Sequence, residues 1–190
     1  MIELEKKIML TKGEYDYLLS KFGKDRPIIK QTNFYFDTED LSMNQRNITC
    51  RIRLKDGKCH GTMKSHIANT NQSIETEMAV RNGIYDNAFI DLGLKLQGEL
   101  VTERCIIVKN SICEVALDKN DYLGYTDYEL EVEYSTNCEN EANSILQTLL
   151  NTLIHYKKDL SLLDRTTPTN NTFSKSNRFF ARKSTNHINT

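Results

Sequence analysis

The side chains of this chain that could do chemistry are sorted by charge and recur two residues apart. Carboxylates group as Glu3/Glu5, Glu75/Glu77 and Glu129/Glu131/Glu133, and guanidinium groups pair as Arg51/Arg53. In an extended strand, residues i and i+2 point to the same side, about 7 Å apart. Each E-x-E pair therefore aims two carboxylates into one volume, which is costly unless a cation sits there. A half-buried strand with a wet outer face accounts for any one of these stretches taken singly. Such a face mixes Lys, Glu, Ser, Thr and Gln, however, and sorting on several strands points to one shared, charged space. Cysteine and histidine offer less. Cys50, Cys59, Cys105, Cys113 and Cys138 form no C-x-x-C pair and are odd in number, which argues for reduced structural thiols. His60, His66, His155 and His187 lack ligand spacing, which speaks against a zinc site.

The elements that must position these groups are mostly strands, because the dominant pattern is period-two alternation. Ile2, Leu4, Ile8 and Leu10 alternate with Glu3, Glu5 and Lys7. Ile48, Cys50, Ile52 and Leu54 alternate with Thr49, Arg51, Arg53 and Lys55, and Asp56-Gly57 then reads as a hairpin turn with a return strand ending at Lys64. Further strands are predicted over 31–37, 74–80, 101–109, 112–118 and 128–134, about eight antiparallel strands in all. Thr11-Lys12-Gly13-Glu14 is a capping box, followed by Tyr15, Leu18, Leu19 and Phe22 on one helical face. A shorter helix is predicted over 84–92, and a long one over 138–158 with Ala142, Ile145, Leu149 and Leu153 in its stripe. Residues 166–177 read as a polar loop, Arg178-Phe179-Phe180-Ala181-Arg182 as a short returning helix, and 184–190 as a fraying tail. The helices need an apolar sheet face to cover, and the only one lies opposite the charges. Helices outside a closed barrel would leave the charged faces lining its lumen.

Length and charge bound what such a lumen could serve. At 190 residues the chain is one domain with room for a core, expected over 1–183. Its 25 Lys+Arg and 26 Asp+Glu leave a net charge of −1, which excludes a chain-wide basic field for nucleic acid. No apolar run nears the roughly 18 residues of a membrane span. Acids stand in Met1-Ile2-Glu3-Leu4-Glu5-Lys6-Lys7 where a signal peptide needs a basic and then an apolar stretch, so a cytoplasmic location is expected.

Glu3-Leu4-Glu5-Lys6-Lys7 resembles the E-x-E-x-K opening of the CYTH superfamily, the triphosphate tunnel metalloenzymes. The likeness continues in order through Tyr35-Phe36-Asp37-Thr38, Cys50-Arg51-Ile52-Arg53, Thr62-Met63-Lys64 and Ile74-Glu75-Thr76-Glu77. It then runs through Thr102-Glu103-Arg104, Leu117-Asp118 and Glu129-Leu130-Glu131 to about Lys158, with Ser176-Asn177-Arg178-Phe179-Phe180 similar to the family's closing segment. An E-x-E alone is common, whereas ordered motifs on strands of matching polarity are specific.

The resemblance implies an α+β fold with a closed antiparallel β-barrel, helices outside, and a linear triphosphate bound in the tunnel with Mg²⁺ or Mn²⁺. It makes Lys7, Arg51, Arg53, Arg104 and Lys175 the triphosphate ligands, each alternatively a counter-ion to a lumen glutamate. It makes Glu3, Glu5, Glu129 and Glu131 the metal group, which Glu77 and Asp118 could join or leave for arginine partners. Two departures matter: Glu133 leaves the last acidic pair uncertain by one step, and Ala116 stands where a relative has an acid, so that Glu114 or Asp118 could replace it. A Tyr and Lys pair acts as base in some members, and Tyr35 and Lys64 hold those positions, with a tunnel-wall hydroxyl as the alternative for Tyr35. The implied activity is metal-dependent hydrolysis of a linear triphosphate. Its rivals are a class IV adenylate cyclase, for which the sequence shows no adenine pocket, and a non-catalytic polyphosphate- or nucleotide-binding module, disfavoured by the complete acidic set. The expected partner is a small-molecule triphosphate, with no nucleic acid and no membrane.

Overall fold

The computed structural model describes residues 2–67, 70, 72–159 and 173–188, without side chains at 2, 3, 158, 159 and 186–188. Eight strands, β1 (Ile2–Leu10), β2 (Ile28–Asp37), β3 (Ile48–Lys55), β4 (Lys58–His66), β5 (Gln72–Met78), β6 (Lys95–Lys109), β7 (Cys113–Tyr122) and β8 (Tyr125–Tyr134), form the sheet. They close into a barrel in the order β1-β5-β4-β3-β2-β6-β7-β8, every neighbouring pair antiparallel. Five helices accompany it: α1 (Lys12–Phe22), α2 (Ser42–Gln45), α3 (Ala88–Asp91), α4 (Glu139–Asp159) and α5 (Lys175–Ile188). The fold is thus the α+β barrel that the resemblance implies, built from the strands that alternation predicts. Among the described residues no helix is long and apolar enough to cross a membrane.

Alternation decides which side chains face in. The outward residues Ile8, Leu10, Cys105, Val115, Leu117, Leu130 and Val132 form one core with Tyr15 and Leu18 of α1 and Ala142, Leu149 and Leu153 of α4. Phe36, Cys50 and Ile52 form a second core under Phe89 of α3. A third core lies at one end of the barrel, where Phe179 and Phe180 of α5 pack on Tyr35, Leu100 and Tyr122. The Thr11 capping box is formed: Thr11 Oγ1 accepts from the Glu14 amide at 3.3 Å and the Glu14 carboxylate accepts from the Thr11 amide at 2.7 Å.

The structure departs from the sequence reading at element ends. β6 starts at Lys95, because the β2–β6 register shifts between Tyr35 and Phe36 and breaks the alternation there. β7 and β8 run on to a tight turn at Leu123 and Gly124, both with positive φ. The stretch predicted as one helix over 84–92 is a 3₁₀ turn (Gly83–Tyr85) and α3, because Asn87 accepts from the Phe89 and Ile90 amides and restarts the helix. Lys175, Ser176 and Asn177 are helical rather than loop, and α5 continues to Ile188 through most of the expected tail. Of the rest of the predicted loop, Phe173 and Ser174 are irregular as expected, and 166–172 lie outside the described residues.

Candidate active site in the tunnel

Inward side chains of β1, β2, β3, β4, β5, β6 and β8, with the first turn of α5, enclose a cavity of about 200 Å³. Of the candidate residues, Glu5, Lys7, Tyr35, Arg51, Arg53, Lys64, Arg104, Glu131 and Lys175 line it. Asp118 and Glu129 are fully buried beside it in contact with Lys175. Glu77 is exposed and does not line the cavity, whereas Glu75 of the same pair does. The side chain of Glu3 lies outside the described residues.

Adjacent strands build the acidic end. Asp118 of β7 is paired in register with Glu129 of β8, and Ala116 with Glu131. Oxygens of Asp118, Glu129 and Glu131 all lie within 4.8 Å of one another. Of the two acids that could replace one at Ala116, Asp118 stands in this cluster, while Glu114 ion-pairs with Lys109 at 2.6 Å on the barrel rim. Glu129 and Glu131 are the buried members of their acidic run, and Glu133 is exposed at the cavity mouth.

Cations meet these acids from three directions. Arg104 forks onto Asp118 at 2.8 and 2.6 Å and reaches Glu131 at 2.8 Å. Lys7 lies 2.9 Å from Glu5 and 3.2 Å from Glu131. Lys175 contacts Asp118 at 2.8 Å and Glu131 at 2.7 Å, and also pairs with Glu129. Burial alone would raise the Glu5 carboxyl, but Lys7 and Lys64 outweigh it and hold it down to about 2. Burial likewise opposes ionisation of Glu129 and Glu131, yet Lys175 and its neighbours hold both below the ordinary carboxylate range. The same pairing keeps Lys7 and Lys175 above the ordinary lysine value despite burial.

The other half of the cavity is short of acid. Arg51 reaches Glu75 at 3.3 Å and Thr62 at 3.1 Å. Arg53 donates only to Asn33 Oδ1, at 3.0 Å, and among the described residues it pairs with no carboxylate. Repulsion from Arg51, burial and repulsion from Arg104 push its guanidinium down to about 10. This is a positive pocket that wants an anion. Lys64 meets carboxylates, Glu5 at 3.1 Å and Glu75 at 4.0 Å. Tyr35 is buried against Phe179 and Phe180, and burial holds its phenol above the ordinary value against the pull of Arg51 and Lys175.

Sequence reasoning grouped Glu75 with Glu77 but gave the site role to Glu77, and it assigned no site role to Arg178 or Asp127. Glu75 could be found from register, since it pairs with Lys64 across β4 and β5. Arg178 donates to both oxygens of Asp127, at 2.7 and 3.1 Å, and lies 2.8 Å from Glu129. Its signal is Ser174, whose hydroxyl accepts from the Asn177 amide at 3.2 Å and starts α5 early enough to turn Lys175 and Arg178 inward.

The donor set fits a hard divalent cation. Both Glu129 oxygens are buried and, although cations stand near, accept no hydrogen bond of good geometry. Three all-oxygen carboxylates converge on that point.

A family model described as "CYTH domain" matches residues 1–164. The Bacillus subtilis (strain 168) protein named "Putative triphosphatase YjbK" is 29% identical over 147 residues, 70% of this chain and 77% of that protein. Among solved structures, a "putative adenylate cyclase" from Bacillus halodurans matches with a TM-score of 0.66 at 25% identity, covering 94% of this chain and 97% of that one. The Hippeastrum protein HpAC1, described as a "putative adenylyl cyclase" that reveals a dominant triphosphatase activity, matches with a TM-score of 0.60 over 95% of both chains. At 17% identity that likeness is one of fold.

Proposed function

The chain belongs to the CYTH family, and on that premise we propose that it hydrolyses a linear triphosphate, inorganic or the tail of an organic triphosphate, with Mg²⁺ or Mn²⁺. The observation that carries the reading is Arg53, an enclosed guanidinium beside Arg51 that has no carboxylate partner among the described residues, in a cavity whose far end gathers carboxylates. An arginine held in that state is stabilised when a polyanion arrives, and guanidinium forks match phosphate oxygens bidentately.

In this reading Arg51, Arg53 and Arg104, with Lys7 and Lys175, grip successive phosphate groups and fix the chain along the tunnel. Asp118, Glu129 and Glu131, with Glu5 joined to Glu131 through Lys7, would hold the divalent ion, Glu3 is kept as a further candidate from the resemblance alone, and Glu77 has no part in it. Bound there, the ion would neutralise charge on the phosphate oxygens as the terminal P–O bond breaks. Tyr35, kept neutral by burial, orients the attacking water as a hydroxyl, and Lys64, paired with Glu5 and Glu75, takes the base role of the pair only once those carboxylates are drawn away by metal and substrate. The buried cluster of Asp118, Glu129 and Glu131 beside the cation-lined cavity favours catalysis over a binding module.

The test is a screen of released phosphate against cyclic AMP over tripolyphosphate, ATP and thiamine triphosphate, with Mg²⁺, Mn²⁺ or excess chelator. Metal-dependent phosphate release is expected. Cyclic AMP from ATP as the main product would replace hydrolase with cyclase, and full turnover in chelator would overturn the metal assignment. Lys64→Ala should lower kcat more than it raises KM. A change in KM alone would leave Lys64 a phosphate clamp and remove its base role.

A further inference from the structure

Three carboxylates whose oxygens lie within 4.8 Å of one another, on residues 0%, 0% and 7% exposed, cannot stand together without positive charge among them. The chain brings its own. Lys175 Nζ lies 2.8 Å from Asp118 and 2.7 Å from Glu131 and also pairs with Glu129. These are the same three side chains that would hold a divalent ion.

The ammonium is delivered by a fastened helix. Lys175 is the first residue of α5, and the residues that follow it are each tied to the barrel or to α2. Ser176 Oγ and Thr49 Oγ1 share a hydrogen bond of 2.7 Å, and Asn177 Oδ1 accepts from Asn44 Nδ2 at 3.0 Å. Arg178 grips Asp127, and Phe179 and Phe180 are buried at the barrel end. Docking of α5 and placement of the ammonium are therefore one event.

We infer that Lys175 is a tethered competitor of the divalent cation: ammonium and metal exchange at the Asp118–Glu129–Glu131 seat, and α5 docking opposes metal binding until a triphosphate arrives. The inference rests on the metal reading of that seat given above. An ammonium in contact with all three carboxylates and a divalent ion bound by the same oxygens would repel at close range, so the seat holds one or the other. Lys175 also lines the tunnel cavity beside Arg51 and Arg53, within reach of a bound polyanion. A triphosphate gives the displaced ammonium a new partner and so removes the competition. Metal and triphosphate should then bind cooperatively, each strengthening the other by the same factor.

The test uses the full chain, Mn²⁺ as probe, and electron paramagnetic resonance of free Mn²⁺ to read binding without turnover. Lys175→Met should bind Mn²⁺ on the order of tenfold more tightly than wild type when no phosphate is present. A methylene-bridged triphosphate should tighten Mn²⁺ binding more in wild type than in Lys175→Met. Equal or weaker Mn²⁺ binding by Lys175→Met, beside normal uptake by wild type, overturns the exchange and leaves the metal reading intact. No uptake by either protein, even with the triphosphate analogue, overturns both. Because Lys175→Met leaves buried carboxylates short of a cation, wild type carries a second measurement. Mn²⁺ alone should speed amide hydrogen exchange in α5, and unchanged or slowed exchange counts against the inference.

Discussion

Arg53 and Arg104 show how two guanidinium groups in one tunnel serve different ends. Arg104 sits on Asp118, which is fully buried, and on Glu131, so the native state needs it. Arg53 faces another arginine and an amide, and the native state only tolerates it. Arg53→Ala should therefore leave the urea midpoint unchanged or higher while kcat/KM falls on the order of 10²-fold, because the lost contact strengthens as phosphate charge shifts. Arg104→Ala should cost about 1–3 kcal/mol of stability, since it removes the guanidinium fork from buried Asp118 and leaves Asp118 and Glu131 to Lys175 and Lys7. Equal destabilisation by the two substitutions would show that Arg53 has a structural partner and would remove the argument for an anion pocket. Residue types made both visible in the sequence as tunnel cations. Their difference was not legible, because it depends on which acid each one meets across the barrel. Glu75 and Glu77 make the same point: they share strand parity, but only Glu75 lies far enough from the strand end to enter the cavity.

Strand faces were legible because alternation is local, and the barrel follows once the outward stripes must be covered by α1 and α4. What alternation could not show is where it is interrupted. Gln97 is the extra residue at the β2–β6 register shift, where Tyr35 pairs with Gly98 and Phe36 with Leu96. Gly98 has φ +146°, a conformation L-residues rarely adopt, and a Cβ there would lie 2.8 Å from the ring of Phe179. The irregular strand thus makes room for α5, whose opening turn is polar and gives little sign in the sequence that it docks. Gly98→Ala should cost about 1–3 kcal/mol through backbone strain and displacement of Phe179. It should also speed hydrogen exchange in α5 more than in α4, which packs elsewhere on the barrel. Uniform exchange rates with an unchanged melting temperature would mean that α5 docks without needing that gap.

Across the whole molecule, the tunnel without ligand is an ion lattice inside an apolar shell, and its stability should carry the signature of that lattice in acid. Glu5 is held down to about 2, against burial, by Lys7 and Lys64, and Glu129 and Glu131 are also held below their ordinary values. In the unfolded chain a glutamate titrates near about 4.3. Above that value both states are ionised, and the stabilisation is fully present. As pH falls below it, the unfolded chain takes up protons that the native lattice refuses, so stability drops until the native carboxylates also protonate. On the basic side, Lys7 and Lys175 are raised, so their contribution is complete below the unfolded lysine value of about 10.4 and is lost only above it. A urea midpoint measured against pH should therefore fall between about 4 and 2, be flat from about 5 to about 8, and decline above that as the unfolded chain releases thiol protons that buried Cys50, Cys105 and Cys113 keep in the fold. Glu5→Gln should reduce the acid slope and leave the fold standing. Ile8→Asp, on the same strand but facing the core under α1 and α4, should cost several kcal/mol at every pH where it is charged. If Ile8→Asp were stable and Glu5→Gln unfolded, the inside and outside of the barrel would have to be exchanged.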